Sequence, residues 1–318
     1  MPKPPSTPSA PSVSTLPTLP EVRPGQSVEL LKELHILTRE GKLNQDSRRK
    51  LKQVYHLVQF IEPLLREVHA AKGAVTLVDH GAGKSYLGFI LYDLFFKALP
   101  PAAVSAAVST SVSAATSPAI SAAAASHLYG IETREELVQR SRELATRLGF
   151  PAMSFLNLTV AQSITSSALP AGIDVVTALH ACDTATDDAI RFALEKKARH
   201  IVVVPCCQAE VASVLRKNKG RMLATPAKNA LTEIWRRPVH TREFGSQITN
   251  VLRCLQLEAH GYQVTVTELT GWEHSMKNEL IIASFEDLPR KQARERLREV
   301  LEAVGLEEMS GRFAVAAG

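Results

Sequence analysis

A carboxylate followed by two closely spaced glycines, Asp79-His80-Gly81-Ala82-Gly83, is the segment of this chain best equipped to hold a small molecule. Three ligand chemistries compete for it. A phosphate loop of the form G-x-x-x-x-G-K-[ST] is matched at Gly83-Lys84-Ser85, but its leading glycine falls on Val78, so the loop cannot wrap a phosphate chain. A dinucleotide fingerprint, G-x-G-x-x-G, puts Tyr86 at its third glycine, where a ring obstructs close helix-to-strand packing. What remains is D-x-G-x-G, in which glycines let the backbone pass close to a ligand and Asp79 accepts from an ammonium group. S-adenosylmethionine offers that ammonium and no phosphate, so the turn favours it over ATP or NAD.

A nucleoside also calls for an acid at the end of the following strand, about 20 residues on, to accept from the ribose hydroxyls. Glu132 ends His127-Leu128-Tyr129-Gly130-Ile131 but lies 51 residues past Gly81. Residues 98–126 are an Ala/Ser/Val-rich stretch of 29, and discounting them as a surface insertion leaves 22, an ordinary spacing. Glu132 is therefore the expected ribose ligand.

The elements that must position these groups follow from periodicity. Residues 1 to about 26 carry eight of the 18 prolines among Ser and Thr, a composition too poor in apolar surface to offset ordering entropy, and read as a disordered tail. Residues 27–72 turn helical, with Val54, Leu57, Val58, Ile61, Leu64 and Leu65 at helical spacing and a break near Gly41 and Asn44. Residues 73–285 form the main domain. Short apolar runs at 74–79, 127–132, 153–158, 173–179 and 201–204 alternate with helical stretches, which predicts a parallel sheet covered on both faces. The runs at 263–269 and 279–284 are separated by too few residues for a helical crossover, so an antiparallel strand closes the series. A helix and tail, 286–318, end the chain. The fold class is α/β: a Rossmann-like, seven-stranded, mostly parallel sheet with an antiparallel terminal strand and an N-terminal helical extension.

The run Val-Asp-His-Gly-Ala-Gly-Lys-Ser-Tyr-Leu (78–87), with Ala-Leu-His-Ala-Cys-Asp (178–183) and Val-Pro-Cys-Cys-Gln (204–208), resembles the class I methyltransferase subgroup that includes the methyltransferase domain of the glutathione S-transferase C-terminal domain-containing protein. The resemblance covers about residues 50–285 and implies S-adenosylmethionine as the methyl donor. By it, Asp79, Gly81, Ala82 and Gly83 line the methionine side, Glu132 holds the ribose, and Thr159 and Val160 flank the adenine. The sequence departs from the subgroup in two places: His80 stands where Phe is common, and Asp183-Thr184 replaces the frequent Gly-Asp.

In an open α/β sheet the reaction lies outside the carboxyl ends of the strands, which puts His180, Asp183, Cys206 and Cys207 beside the cofactor. Methyl transfer is an in-line displacement at a sulfonium, needing alignment and, for a protonated nucleophile, a base. His180 or Asp183 could be that base, and His180 alternatively a cofactor contact. Cys206 and Cys207 are either substrate-side thiols or small packed turn residues, and His240 could border the substrate mouth. Cys182, Cys206, Cys207 and His180 lack zinc-ligand spacing, so no metal is expected. His-Ala-Cys-Asp also differs from the Asn-Pro-Pro-Tyr that accompanies methylation of base amino groups.

Charge bears on the acceptor. A net charge of +5 permits polyanion contact without demanding it. Eight basic residues between Arg216 and Arg242 face one acid, Glu233, with Trp235 among them, and six more lie between Arg39 and Lys52. Together these favour RNA as the acceptor, by phosphate neutralisation and base stacking, with protein methylation or a catalytically silent cofactor-binding scaffold as alternatives. The cysteine usage, the absence of a signal-like N-terminus and the lack of a long apolar run point to a cytoplasmic protein away from membranes.

Overall fold

A computed structural model describes residues 21–99, 125–179, 181, 183–205, 208–224, 232–269 and 279–314. Seven strands, β1 (Thr76–His80), β2 (His127–Glu132), β3 (Met153–Asn157), β4 (Val175–Leu179), β5 (His200–Val204), β6 (Tyr262–Glu268) and β7 (Glu279–Phe285), form one sheet in the order β3-β2-β1-β4-β5-β7-β6. The first five are parallel. β7 runs antiparallel to both neighbours, so the last strand in sequence is the inner one, and β6 takes the edge. β6 is buried at Tyr262 and largely exposed from Gln263 on, with Val266 49% exposed, as suits an edge strand. The sheet is the Rossmann-like one the strand pattern predicts, and its order reverses between β1 and β4, the crevice where doubly wound sheets hold ligands.

One face is covered by α1 (Val28–Glu33), α2 (Gln45–Lys72), α3 (Tyr86–Leu94) and α4 (Glu135–Arg147). α2 starts where the Asn44 side chain accepts from the Ser47 amide at 2.8 Å and stops at Gly73, whose φ of 73° only glycine adopts freely. Its buried stripe from Leu51 to Val68 joins Phe89, Phe96 and Val175 in a single apolar cluster, so the helical extension is a layer of the core. The other face carries α5 (Val160–Thr165), α6 (Thr184–Glu195) and α9 (Pro238–Ala259), packed through Ile190, Phe192 and Leu257. Beyond the sheet, α7 (Glu210–Ala224), α8 (Thr232–Trp235), α9 and α10 (Lys291–Ala303) enclose a third cluster.

Both termini are docked further than composition suggests. From Glu21 the chain lies on α2, with Arg48 paired to Glu21 at 3.0 Å and Arg23 to Glu62 at 3.4 Å. Residues 1–20 and most of the 98–126 stretch lie outside the described residues. At the other end Val304, Leu306, Met309 and Phe313 fill the third cluster, because their apolar side chains cap the α9–α10 contact rather than trail into solvent. Trp235 is a correction to the stacking role inferred from its basic neighbours: it is 1% exposed, packed on Phe244 with ring centroids 5.2 Å apart, and offers no face to a base.

Candidate active site at the carboxyl ends of the strands

The last residues of β1 point to opposite faces, as period-two geometry requires. Asp79 is 2% exposed and accepts from the Thr177 hydroxyl of β4 at 2.9 Å; among the described residues it has no counter-ion. Burial, only partly offset by that hydrogen bond, pushes its carboxyl up to about 7. His80 turns to the other face, against Phe192 of α6 with centroids 5.4 Å apart. Burial holds it neutral, down to about 4, although the field of Glu132 acts the other way. Among the described residues its Nε2 has no hydrogen-bond partner, and neither does the buried Oγ of Ser85 five residues on.

Between them runs the glycine turn. Gly81 and Gly83 have φ of 68° and 57°, and Ser85 is forced to 51° before α3 begins, so the backbone reverses tightly enough to leave α3 starting at Tyr86. The Ala82 amide donates to the Ile131 carbonyl at 2.9 Å and the Gly83 amide to Glu132 Oε2 at 2.9 Å, tying the turn to the end of β2.

Glu132 is 7% exposed and unusually well supplied with donors. Its Oε1 accepts from the Thr133 amide (2.9 Å), the Arg134 amide (3.0 Å) and Arg134 Nε (3.1 Å), and Oε2 also accepts from the Arg134 guanidinium at 3.1 Å. Burial alone would raise this carboxyl, but the Arg134 side chain and the Arg134 and Gly83 amides outweigh it and hold it down at about 2.

At β3 the chain enters α5 through a capping box, Thr159 Oγ1 accepting from the Gln162 amide while the Gln162 side chain accepts from the Thr159 amide. Thr159 is exposed and Val160 packs into the second cluster. At β4, His180 lies outside the described residues, and so do Cys182, Cys206 and Cys207. Asp183 is described: its Oδ1 accepts from the Ala209 and Glu210 amides at 2.9 and 3.1 Å, capping α7, and its backbone sits at φ 51°, ψ −121°. That conformation suits glycine, and hydrogen bonds to its side chain and carbonyl hold it, the Thr186 amide donating to the carbonyl at 3.3 Å. Arg253 also donates to the Asp183 carbonyl, at 2.9 Å.

Arg253 is fully buried and grips Asp187 through Nε (2.7 Å) and a terminal nitrogen (2.9 Å), while its other nitrogen donates to Asn250. Gln208 and Glu279 extend this network through Asn250 to the end of β5 and the start of β7. Beside it a cavity of about 360 Å³ opens between α9 and β6, lined by Pro205, Gln208, Ser246, Asn250, Glu268 and Glu279. His240 is exposed in the first turn of α9. Sequence reasoning missed Thr177, Arg134 and the Arg253–Asp187 pair; the only signal for the last was two charges on otherwise apolar helix faces.

The structure thus brings Asp79, Gly81, Ala82, Gly83 and Glu132 to one end of two adjacent parallel strands. A protein-family model described as a methyltransferase domain matches residues 49–113 and 111–214, together just over half of the 318 residues. The chain belongs to the methyltransferase-domain family. No curated protein matches this methyltransferase-domain chain. Among solved structures, magnesium protoporphyrin IX methyltransferase from Synechocystis with bound S-adenosylhomocysteine is similar at 13% identity and TM-score 0.39, over 82% of this chain and 95% of that one. The N-terminal domain of human METTL16 with S-adenosylhomocysteine is similar at 10% identity and TM-score 0.41, over 81% and 79%. At those scores the assignment rests on the family match and the strand order. Among the described residues no helix is long and apolar enough to cross a membrane, and no cluster of three His, Cys, Asp or Glu is arranged to hold a metal.

Proposed function

We propose that the chain is an S-adenosylmethionine-dependent methyltransferase of the subgroup its three sequence blocks resemble. The observation carrying this reading is the pairing of a buried carboxylate lacking a counter-ion, Asp79, with a glycine turn hydrogen-bonded to Glu132 across the β1–β2 ends. The residues fit the donor: Asp79 accepts the ammonium, the Cβ-free backbone at Gly81 and Gly83 passes along the methionine, Glu132 accepts from the sugar, and Thr159 and Val160 border the adenine. Two buried polar atoms without partners among the described residues, His80 Nε2 and Ser85 Oγ, flank the same turn. Bound there, the donor supplies an activated methyl on a sulfonium. The chain's own task is to align the acceptor in line with it over the ends of β4 and β5, where His180, Cys206 and Cys207 lie in sequence.

RNA is the acceptor class we favour. Arg216, Lys217, Arg237, Arg49 and Lys50 are exposed and have no acidic partner among the described residues, whereas Arg236 and Arg242 are neutralised by Glu233 and Glu243. With Trp235 buried, the support is electrostatic, and the binding should weaken steeply with salt. Calorimetric titration with S-adenosylmethionine and S-adenosylhomocysteine, followed by tritium transfer to RNA and protein pools, tests both levels. Binding with label in RNA is the expected result. Absence of binding overturns the donor assignment, and binding without transfer to any pool points to a cofactor-holding scaffold instead.

A further inference from the structure

Glu132 is the expected sugar ligand, yet its acceptor capacity is already spent. A carboxylate offers about four lone-pair sites, and six donors lie within 3.3 Å: the amides of Gly83, Thr133 and Arg134, the Thr133 hydroxyl, and two nitrogens of the Arg134 guanidinium. The three amides cannot leave without undoing the glycine turn and the entry to α4. The guanidinium can, since the Arg134 side chain is 59% exposed and closes a two-pronged ion pair from the solvent side. It also overhangs the turn: a Cβ built on Gly83 would sit 3.8 Å from an Arg134 terminal nitrogen.

We propose that Arg134 is a displaceable plug in the sugar site, occupying the two Glu132 positions that a ribose diol takes and thereby setting the affinity for the nucleoside. The inference rests on the donor reading above. Binding exchanges two N–H donors for two O–H donors on the same oxygens, and the released guanidinium turns toward Glu136 on the exposed first turn of α4, whose charge already acts on it. Because the pair is largely solvated, the competition is modest, worth roughly two- to fivefold in Kd. It is also screened by salt.

The test is titration of wild type, Arg134→Ala and Arg134→Met with S-adenosylhomocysteine, adenosine and 2′,3′-dideoxyadenosine, with melting curves to check folding. Removal of the plug should tighten S-adenosylhomocysteine and adenosine about two- to fivefold and leave dideoxyadenosine unchanged, since the latter makes no demand on Glu132. Raising salt should tighten the wild type toward the variants while leaving the variants flat. Unchanged or weaker binding in both folded variants, or equal tightening of all three ligands, overturns the plug while leaving the donor reading intact. If neither wild type nor variants bind S-adenosylhomocysteine, both fall; binding by the variants alone supports the plug at its strongest.

Discussion

Asp79 offers the sharpest test of the donor site, because burial sets its carboxyl near neutrality and an arriving ammonium must reverse that. With a carboxyl at about 7, roughly half of the molecules carry a proton there at pH 7 and about nine-tenths at pH 6. An opposite charge within contact distance lowers a carboxyl by about 1–3 units, and at the upper end of that range nearly all of that proton is expelled on binding. Titration with S-adenosylhomocysteine in buffers of different ionisation enthalpy should therefore show release of about half a proton per site at pH 7 and close to one at pH 6. Affinity should fall by about fivefold between pH 7 and pH 6, or about 1 kcal/mol. The ligand's own amine titrates at about 7.7–8.0, so measurements from pH 5.5 to 7 keep it about four-fifths charged or more. His80, at about 4, and Glu132, at about 2, titrate below that window. Asp79→Asn should bind more weakly and without proton release. Release that is absent at pH 6, or that persists in Asp79→Asn, would refute the pairing of Asp79 with the ammonium.

Two further outcomes follow from buried charge. Arg253→Met should lower stability by about 3–5 kcal/mol by stranding Asp187, measured by chemical denaturation, and adding Asp187→Leu should recover much of the loss; a single variant within about 1 kcal/mol of wild type would show the pair to be slack. His80 has a depressed folded value, so its stabilisation is complete above its unfolded value of 6.5 and is lost as pH falls through about 4, up to about 3 kcal/mol. Asp79 is shifted the other way and partly masks this, so the reading is the difference between wild type and His80→Phe: the variant should gain relative stability between pH 6.5 and 4, and parallel curves would refute the burial argument.

The strand pattern, the glycine turn and Glu132 were legible in the sequence because each is a local matter. Buried parallel strands must run apolar, a tight turn beside a ligand must shed its Cβ atoms, and an insertion of biased composition can be discounted when a spacing is counted. Even the antiparallel direction of β7 follows from the shortness of its connection to β6, since so few residues cannot carry a crossover. That β7 slips between β5 and β6 does not follow, because hairpin length sets direction and not which strand meets the sheet.

Other properties arose only on closure of the chain. Trp235 reads as an aromatic in a basic stretch until the packing of α7, α9 and α10 encloses it. Asp183 reads as a free carboxylate at a strand end until the start of α7 arrives to take it as a cap, and Arg253 meets Asp187 from 66 residues away. Composition and spacing along the chain decided what kind of sheet forms and where its glycine turn lies. Which charges are buried, paired or left free around that turn was decided by tertiary packing, because desolvation and hydrogen-bond partnership depend on neighbours that are remote in sequence.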